Sequence, residues 1–144
     1  MSISCVQLGE GIRHQSPGGP IAEVLISDAP GRQIGVVRLI VPAGEQMALH
    51  GHGASETVLI ALHGAIRLIG RSDAEDVIVL EPNALATIPI GEKVRLDNPE
   101  SESGHLLMIF SPPEFVSKLA SWPLVDAGRA GDLDLREQAP VAVS

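Results

Sequence analysis

The chain has 144 residues, 44% hydrophobic and 19% charged, which is enough apolar surface for one folded domain and too little charge for wholesale disorder. Its formal net charge of −8 opposes binding to nucleic-acid phosphates and anionic lipid surfaces. Aromatic residues make up only 2% of the chain, which argues against a platform for stacking bases or sugar rings. A small molecule is therefore the expected partner, with no nucleic acid and no membrane.

The sequence gives no signal for export or membrane insertion. The longest apolar runs, residues 77–80 and 106–110, are far shorter than the roughly 20 residues that cross a bilayer. The first ten residues lack the basic and apolar regions of a secretory signal, so we expect a cytoplasmic protein. Cys5 is the single cysteine and cannot form an internal disulfide.

From residue 21 to residue 110, short β-branched and Leu-rich segments alternate with turns rich in Gly, Pro, Asn and Asp. This pattern is typical of a β-sandwich or β-barrel. Strands are predicted at residues 21–27, 34–41, 46–52, 57–63, 65–70, 76–80, 84–88, 93–98 and 105–110. The predicted fold class is therefore all-β.

The β pattern stops at Ser111, where Ser-Pro-Pro-Glu resembles a helix capping box that ends at Glu114. A short helix should follow, with Phe115, Val116 and Leu119 forming an apolar stripe against the barrel. We predict an N-terminal arm at 1–20, a barrel at 21–120 and a C-terminal tail at 121–144. The tail has no clear period, so it is either disordered or ordered by a second subunit.

The segment around His50 and His52 carries the clearest chemical signal. Residues two apart in an extended strand point to the same face, so these histidines direct two imidazoles toward one point. Glu56 follows a flexible Gly-Ala-Ser stretch that could bring its carboxylate alongside them. Two histidines and one carboxylate, which leave coordination positions open on the metal, suit Fe(II), and less selectively Mn, Ni or Zn. The alternative is an ordinary polar strand face, because exposed faces routinely carry such residues.

This segment resembles the first motif of the cupin family, which runs Gly, five residues, His-x-His, three or four residues, Glu, six residues, Gly. Its first four landmarks are matched by Gly44, His50, His52 and Glu56. The closing Gly64 comes one residue late, so counting back places Thr57 at the position that faces the family's metal. A bulge would be needed to turn Glu56 inward, and otherwise its carboxylate lies solvated at the rim.

The second cupin motif is matched at its turn landmarks, Pro89, Gly91 and Asn98. Val94 occupies the place of the family's metal-binding histidine, and because valine cannot ligate a metal, the ligand set is incomplete. The resemblance covers residues 32–115 and implies an RmlC-like jelly-roll barrel, a double-stranded β-helix. It also implies a homodimer, since small cupins pair through sheet edges that need covering.

Two functions follow from this resemblance. The first is a metal-dependent enzyme that acts on a small organic molecule, with His50, His52 and Glu56 holding a divalent metal as Lewis acid or dioxygen site. The second is a non-catalytic barrel, ligand-binding or regulatory, whose metal site has decayed. Its interior would be an apolar pocket, and the residues expected to line it are Leu49, Leu59, Val94 and Leu96. Whether the protein is an enzyme stays open.

The remaining polar candidates have structural interpretations. His63 should lie away from His50 and His52, at the far end of its strand. We expect His105 to be exposed and Arg38 to be a solvated charge on the outer face, although an inward Arg38 would bind an anion. His14 lies in an arm that covers its own barrel or that of a neighbour.

Overall fold

The computed structural model describes residues 3–17, 19–70 and 77–125. Within them the chain forms nine β-strands and one short α-helix. The strands are β1 (Ile12–Gln15), β2 (Ile21–Ile26), β3 (Gly35–Val41), β4 (Glu56–His63), β5 (Ile66–Gly70), β6 (Val77–Leu80), β7 (Leu85–Ile88), β8 (Val94–Asp97) and β9 (Gly104–Ser111), and the helix is α1 (Phe115–Leu119). The prediction of an all-β fold with a short C-terminal helix is confirmed.

The strands form two antiparallel sheets that pack face to face. The six-stranded sheet has the order β1-β2-β3-β9-β4-β7, and the three-stranded sheet has the order β6-β5-β8. Alternation along the strands sets the inner face: in β4, Thr57, Leu59 and Ala61 are buried while the residues between them are more exposed. The inner faces of both sheets contribute to a single apolar cluster, which includes Leu39, Leu59, Met108, Phe110, Leu68, Leu80 and Leu96.

Helix α1 covers this core at one end of the sandwich. Val116 and Leu119 are buried in the main apolar cluster, and Phe115 packs against it, as the predicted stripe requires. The predicted capping box is wrong, because Ser111 is the last residue of β9 and lies opposite Glu56 of β4. Glu114 is the N-cap residue, and no side chain caps the helix. Strand pairing at Ser111 therefore overrides the local helix-start signal.

Two strand predictions differ from the structure. Residues 46–52 do not form a strand and make only isolated bridges, from Gln46 to Asp97 and from His50 to Val94. Glycines at 51 and 53 allow the chain to turn there, and Gly53 has a positive φ of 60°. In contrast, β1 was not predicted because its polar sequence lacks alternation, yet it pairs with β2 within the predicted N-terminal arm.

The arm also contacts the end of the described chain. The His14 imidazole hydrogen bonds through Nδ1 to the Trp122 carbonyl over 2.8 Å. The Gln15 amide donates to the Pro123 carbonyl, and the Val125 amide donates to the Arg13 carbonyl. The arm therefore lies against its own barrel. Most of the predicted tail, residues 126–144, falls outside the described residues, and the domain boundaries stay a prediction.

The outer face of the six-stranded sheet carries a buried polar cluster, formed by Glu23, Arg38 and His105. All three are fully buried, so the predictions of a solvated Arg38 and an exposed His105 are wrong. Arg38 Nη2 donates to His105 Nδ1 over 2.6 Å. Burial lowers the pKa of Arg38, and the negative charge of Glu23 partly opposes this effect.

His63 lies beside this cluster, at the opposite end of β4 from Glu56. Its ring centroid is 5.5 Å from that of His105 on the neighbouring strand. Because His105 alternates with the core residue Leu106, its side chain points away from the barrel interior and cannot replace a ligand there. No helix among the described residues is long and apolar enough to span a membrane.

Candidate functional site

A pocket of about 440 Å³ opens beside helix α1. Its floor is formed by Leu39 of β3 and Met108 of β9, both on the inner face of the six-stranded sheet. Its walls come from residues 45–48 and His50, from the loop before β2, from helix α1 and from Trp122. The pocket therefore lies at the mouth of the barrel, where apolar walls and a few polar groups meet.

His50 is the histidine that lines this pocket. Its backbone exchanges two hydrogen bonds of 2.8 Å with Val94, which fixes this irregular segment against β8. Its side-chain Nδ1 lies 2.9 Å from the Ala48 carbonyl oxygen. Because a carbonyl only accepts hydrogen bonds, Nδ1 carries the proton, and in the neutral ring Nε2 keeps a lone pair for a ligand.

His52 lies deeper than His50 and is only 3% exposed. Its ring centroid is 5.0 Å from that of His50 and 4.9 Å from that of Phe115, with edge-to-face geometry in both cases. Neither of its ring nitrogens has a hydrogen-bond partner among the described residues. Burial, and secondarily the charge of His50, lowers the pKa of His52 to about 4, so the ring is neutral near pH 7.

Glu56 and Thr57 point to opposite faces of β4. Glu56 is exposed, and Thr57 is fully buried on the inner face with its Oγ1 lacking a hydrogen-bond partner in the described chain. The count from Gly64 therefore predicts the inward residue correctly. Gly64 has a φ of 75°, and a side chain there would crowd the Gly104 backbone, so the closing turn is well defined.

The structure thus brings together two of the three predicted metal ligands. Within the three described ranges, no group of three or more His, Cys, Asp or Glu is arranged to hold a metal ion. The imidazoles of His50 and His52 lie together as possible nitrogen donors, whereas Glu56 is exposed on the face of β4 opposite the buried Thr57. Val94, buried opposite His50, adds no donor. As placed, these residues do not fit a three-ligand metal site, and Glu56 as a ligand stays a prediction.

The aromatic residues were the main feature missed from the sequence. The chain has two Phe, one Trp and no Tyr, and all three aromatic side chains lie at this site. Phe110 and Phe115 contact the His52 ring, while Phe115 and Trp122 line the pocket. The low aromatic content had argued against a stacking platform. The one sequence signal for this cluster was the position of Phe115 on the predicted apolar stripe of the helix.

The residues that line this pocket do not include the four predicted for an apolar lining, which were Leu49, Leu59, Val94 and Leu96. Leu59 and Leu96 are fully inside the core and Val94 is buried, but Leu49 is 46% exposed. The prediction for Leu49 is wrong because it assumed strand alternation through a segment that is irregular. Charged side chains also line the pocket, namely Glu45 and Lys118, which the sequence alone did not single out.

No family model matches the sequence, and no curated protein matches it. Solved structures do share the fold. An RmlC-like cupin from Shewanella frigidimarina is 17% identical, with a TM-score of 0.62 over 77% of this chain and 92% of that one. A cupin 2 conserved barrel domain protein from Salinispora arenicola is 18% identical, with a TM-score of 0.59 over 84% of this chain and 97% of that one.

A sugar phosphate isomerase of the cupin superfamily from Silicibacter pomeroyi is 19% identical, with a TM-score of 0.54 over 65% of this chain. This chain spans only 60% of that protein's length. At such identities the similarity shows the fold alone. The protein therefore has the cupin fold, a double-stranded β-helix or jelly-roll barrel, as the two sequence motifs indicated.

Proposed function

We propose that this protein is a cupin that binds a small organic molecule in the barrel-mouth pocket, with His50 as its main polar contact. The observation that carries the proposal is the pocket itself, whose apolar walls enclose about 440 Å³ and include one histidine with an available Nε2. This combination of apolar walls and few polar groups is typical of ligand sites. Binding alone needs no metal and no movement of Glu56.

The single tryptophan provides the test, because Trp122 lines the pocket and the chain has no Tyr. Ligands that enter should change Trp122 fluorescence with a saturable concentration dependence. The variant Ala48→Phe narrows the pocket and should weaken every such response at least about tenfold, since overpacking excludes the ligand. Ala43→Phe, in an exposed turn outside the pocket lining, is the matched control. Equal binding to both variants would contradict the proposed location.

A metal-dependent enzyme is the second candidate, and the adjacent rings of His50 and His52, with centroids 5.0 Å apart, favour it. Two imidazoles with free nitrogens are competent ligands for Fe, Mn, Ni or Zn, and Glu56 would complete the set by turning inward. Such a metal would supply Lewis-acid chemistry or a dioxygen site for a small substrate.

The metal content of protein purified without chelator distinguishes the metal-free binding function from the metal-dependent enzyme. Near-stoichiometric metal that is lost in a His50→Ala, His52→Ala double variant, and reduced in Glu56→Gln, supports the metal enzyme. A protein that stays empty after incubation with Fe(II), Mn, Ni and Zn supports the metal-free binding function. The homodimer and the cytoplasmic location also stay predictions, and the molar mass from light scattering tests the first of them.

A further inference from the structure

The pocket has an aromatic side that suits a planar ligand. Phe115 and Trp122 both line it, and the Phe115 ring packs against Phe110 with 5.3 Å between the ring centroids. The thioethers of Met47 and Met108 line the pocket as well, and sulfur makes favourable contacts with aromatic rings. Two of the three aromatic residues of the chain therefore line this one pocket. Such walls favour a flat ring over a flexible chain.

Lys118 adds a positive charge to the pocket wall. Lys118 Nζ lies 5.8 Å from the centroid of the Phe115 ring, next to the aromatic side. Among the described residues Lys118 forms no ion pair, since the ion pairs found there are His63 with Glu102 and Arg95 with Asp97. In a chain with a net charge of −8, this is a local positive site.

The other polar lining groups restrict the ligand further. Glu45 adds a negative charge to the lining, in the segment before His50. Because this carboxylate repels negative charge, a ligand with a single carboxylate suits the lining better than one with two. His50 Nε2 remains available to accept a hydrogen bond from a ring substituent.

We propose that the ligand of this pocket is a planar aromatic monocarboxylate. Its ring lies against Phe115 and Trp122, and its carboxylate lies beside the ammonium of Lys118. This inference rests on the proposed small-molecule function and names the ligand class. No covalent step is part of it.

Four probes of similar size test the ligand class. Benzoate has the aromatic ring and the negative charge, benzamide lacks the charge, cyclohexanecarboxylate lacks the aromatic ring, and benzylamine carries the opposite charge. Titration against Trp122 fluorescence, with calorimetry as a second readout, should show benzoate binding at least about fivefold more tightly than the other three. Lys118→Met should remove the preference of benzoate over benzamide, and Lys118→Arg should retain it. Lys93→Met removes an exposed lysine outside the pocket lining and should change nothing. Glu45→Gln should leave benzoate binding intact or strengthen it.

The outcomes distinguish this inference from the function on which it rests. If benzamide or benzylamine binds as tightly as benzoate, and Ala48→Phe abolishes that binding, the ligand class is wrong and the pocket function holds. If Lys118→Met keeps the full preference for benzoate, the assignment of Lys118 is wrong. If none of the four probes binds the wild-type protein by either readout, the ligand class is rejected, and the pocket function must then be judged from its own Ala48→Phe test.

Discussion

At the scale of single residues, His52 makes stability depend on pH. An ordinary histidine has a pKa of 6.5, and burial lowers that of His52 to about 4. Above pH 6.5 the His52 imidazole is unprotonated in both the folded and the unfolded state. Between pH 6.5 and 4 it binds a proton only in the unfolded chain. Stability therefore falls as pH falls through this window, by about 3 kcal/mol in total. Below pH 4 both states are protonated and the loss is complete.

The measurement is urea unfolding of metal-free protein at several pH values. His52→Leu should lose less stability than wild type between pH 6.5 and 4, because no buried imidazole remains to resist protonation. His63→Gln, at the half-exposed end of β4, should keep the wild-type loss. Identical curves for wild type and His52→Leu would show that His52 does not cause the effect.

Arg38 is a second residue whose role depends on burial. It is fully buried opposite Glu23, whose Oε2 accepts the Gly11 amide proton at 2.9 Å. Arg38→Met should lower the free energy of unfolding by about 3 kcal/mol, because it leaves the Glu23 charge buried without its neighbouring cation. The double variant Glu23→Gln, Arg38→Met should recover part of this loss in urea unfolding. A single variant within about 1 kcal/mol of wild type would contradict this role.

At the scale of elements, Asn98 connects three segments. Its Nδ2 donates to the carbonyls of Val41, Pro42 and Glu102, at 2.9 to 3.1 Å, and its Oδ1 accepts the Glu100 amide proton. Asn98→Ala should cost about 2 to 3 kcal/mol, because it leaves several carbonyls without their donor. Glu100→Ala keeps the backbone amide and should cost little. Equal losses in thermal or urea unfolding would mean that the side-chain network is not the cause.

Strand β6 is an edge of the three-stranded sheet, and Val77, Ile78 and Val79 are exposed on it. Exposed apolar edges promote pairing between copies. Val79→Glu should weaken concentration-dependent association, and should not reduce stability because Val79 lies opposite Arg67. Ile90→Glu adds the same charge at an exposed turn and serves as the control. If light scattering shows equal association for both variants, this edge does not form the contact.

Elements with a clear period were predictable from the sequence, and elements set by distant partners were not. Alternation identified β2, β3, β4 and β9 within one or two residues at each end, because one face of each strand is buried. The burial of His105 depends on residues far away in the chain, so no local pattern indicated it. At the site, spacing predicted the pairing of His50 with His52. It could not decide between Glu56 and Thr57, since a one-residue shift reverses the face.

At the scale of the whole molecule, the barrel determines which positions converge at its mouth. Thr57 and Val94 are buried at the two places where the cupin motifs carry a carboxylate and a histidine, and both belong to the regular strands β4 and β8. The fold is therefore intact although neither position carries the donor that the motif has there. Placing a carboxylate and an imidazole at these positions should create a metal site without any change of architecture.

The double variant Thr57→Glu, Val94→His tests this argument. Without metal it should be less stable than wild type by several kcal/mol, because two polar groups enter the core. Excess Ni(II) or Mn(II) should then raise its free energy of unfolding by at least about 3 kcal/mol, as mass action requires for tight binding to the folded state alone. The wild-type protein should gain far less. If wild type gains as much as the variant, His50 and His52 already suffice for metal binding, and the metal-dependent function becomes the better account of the barrel.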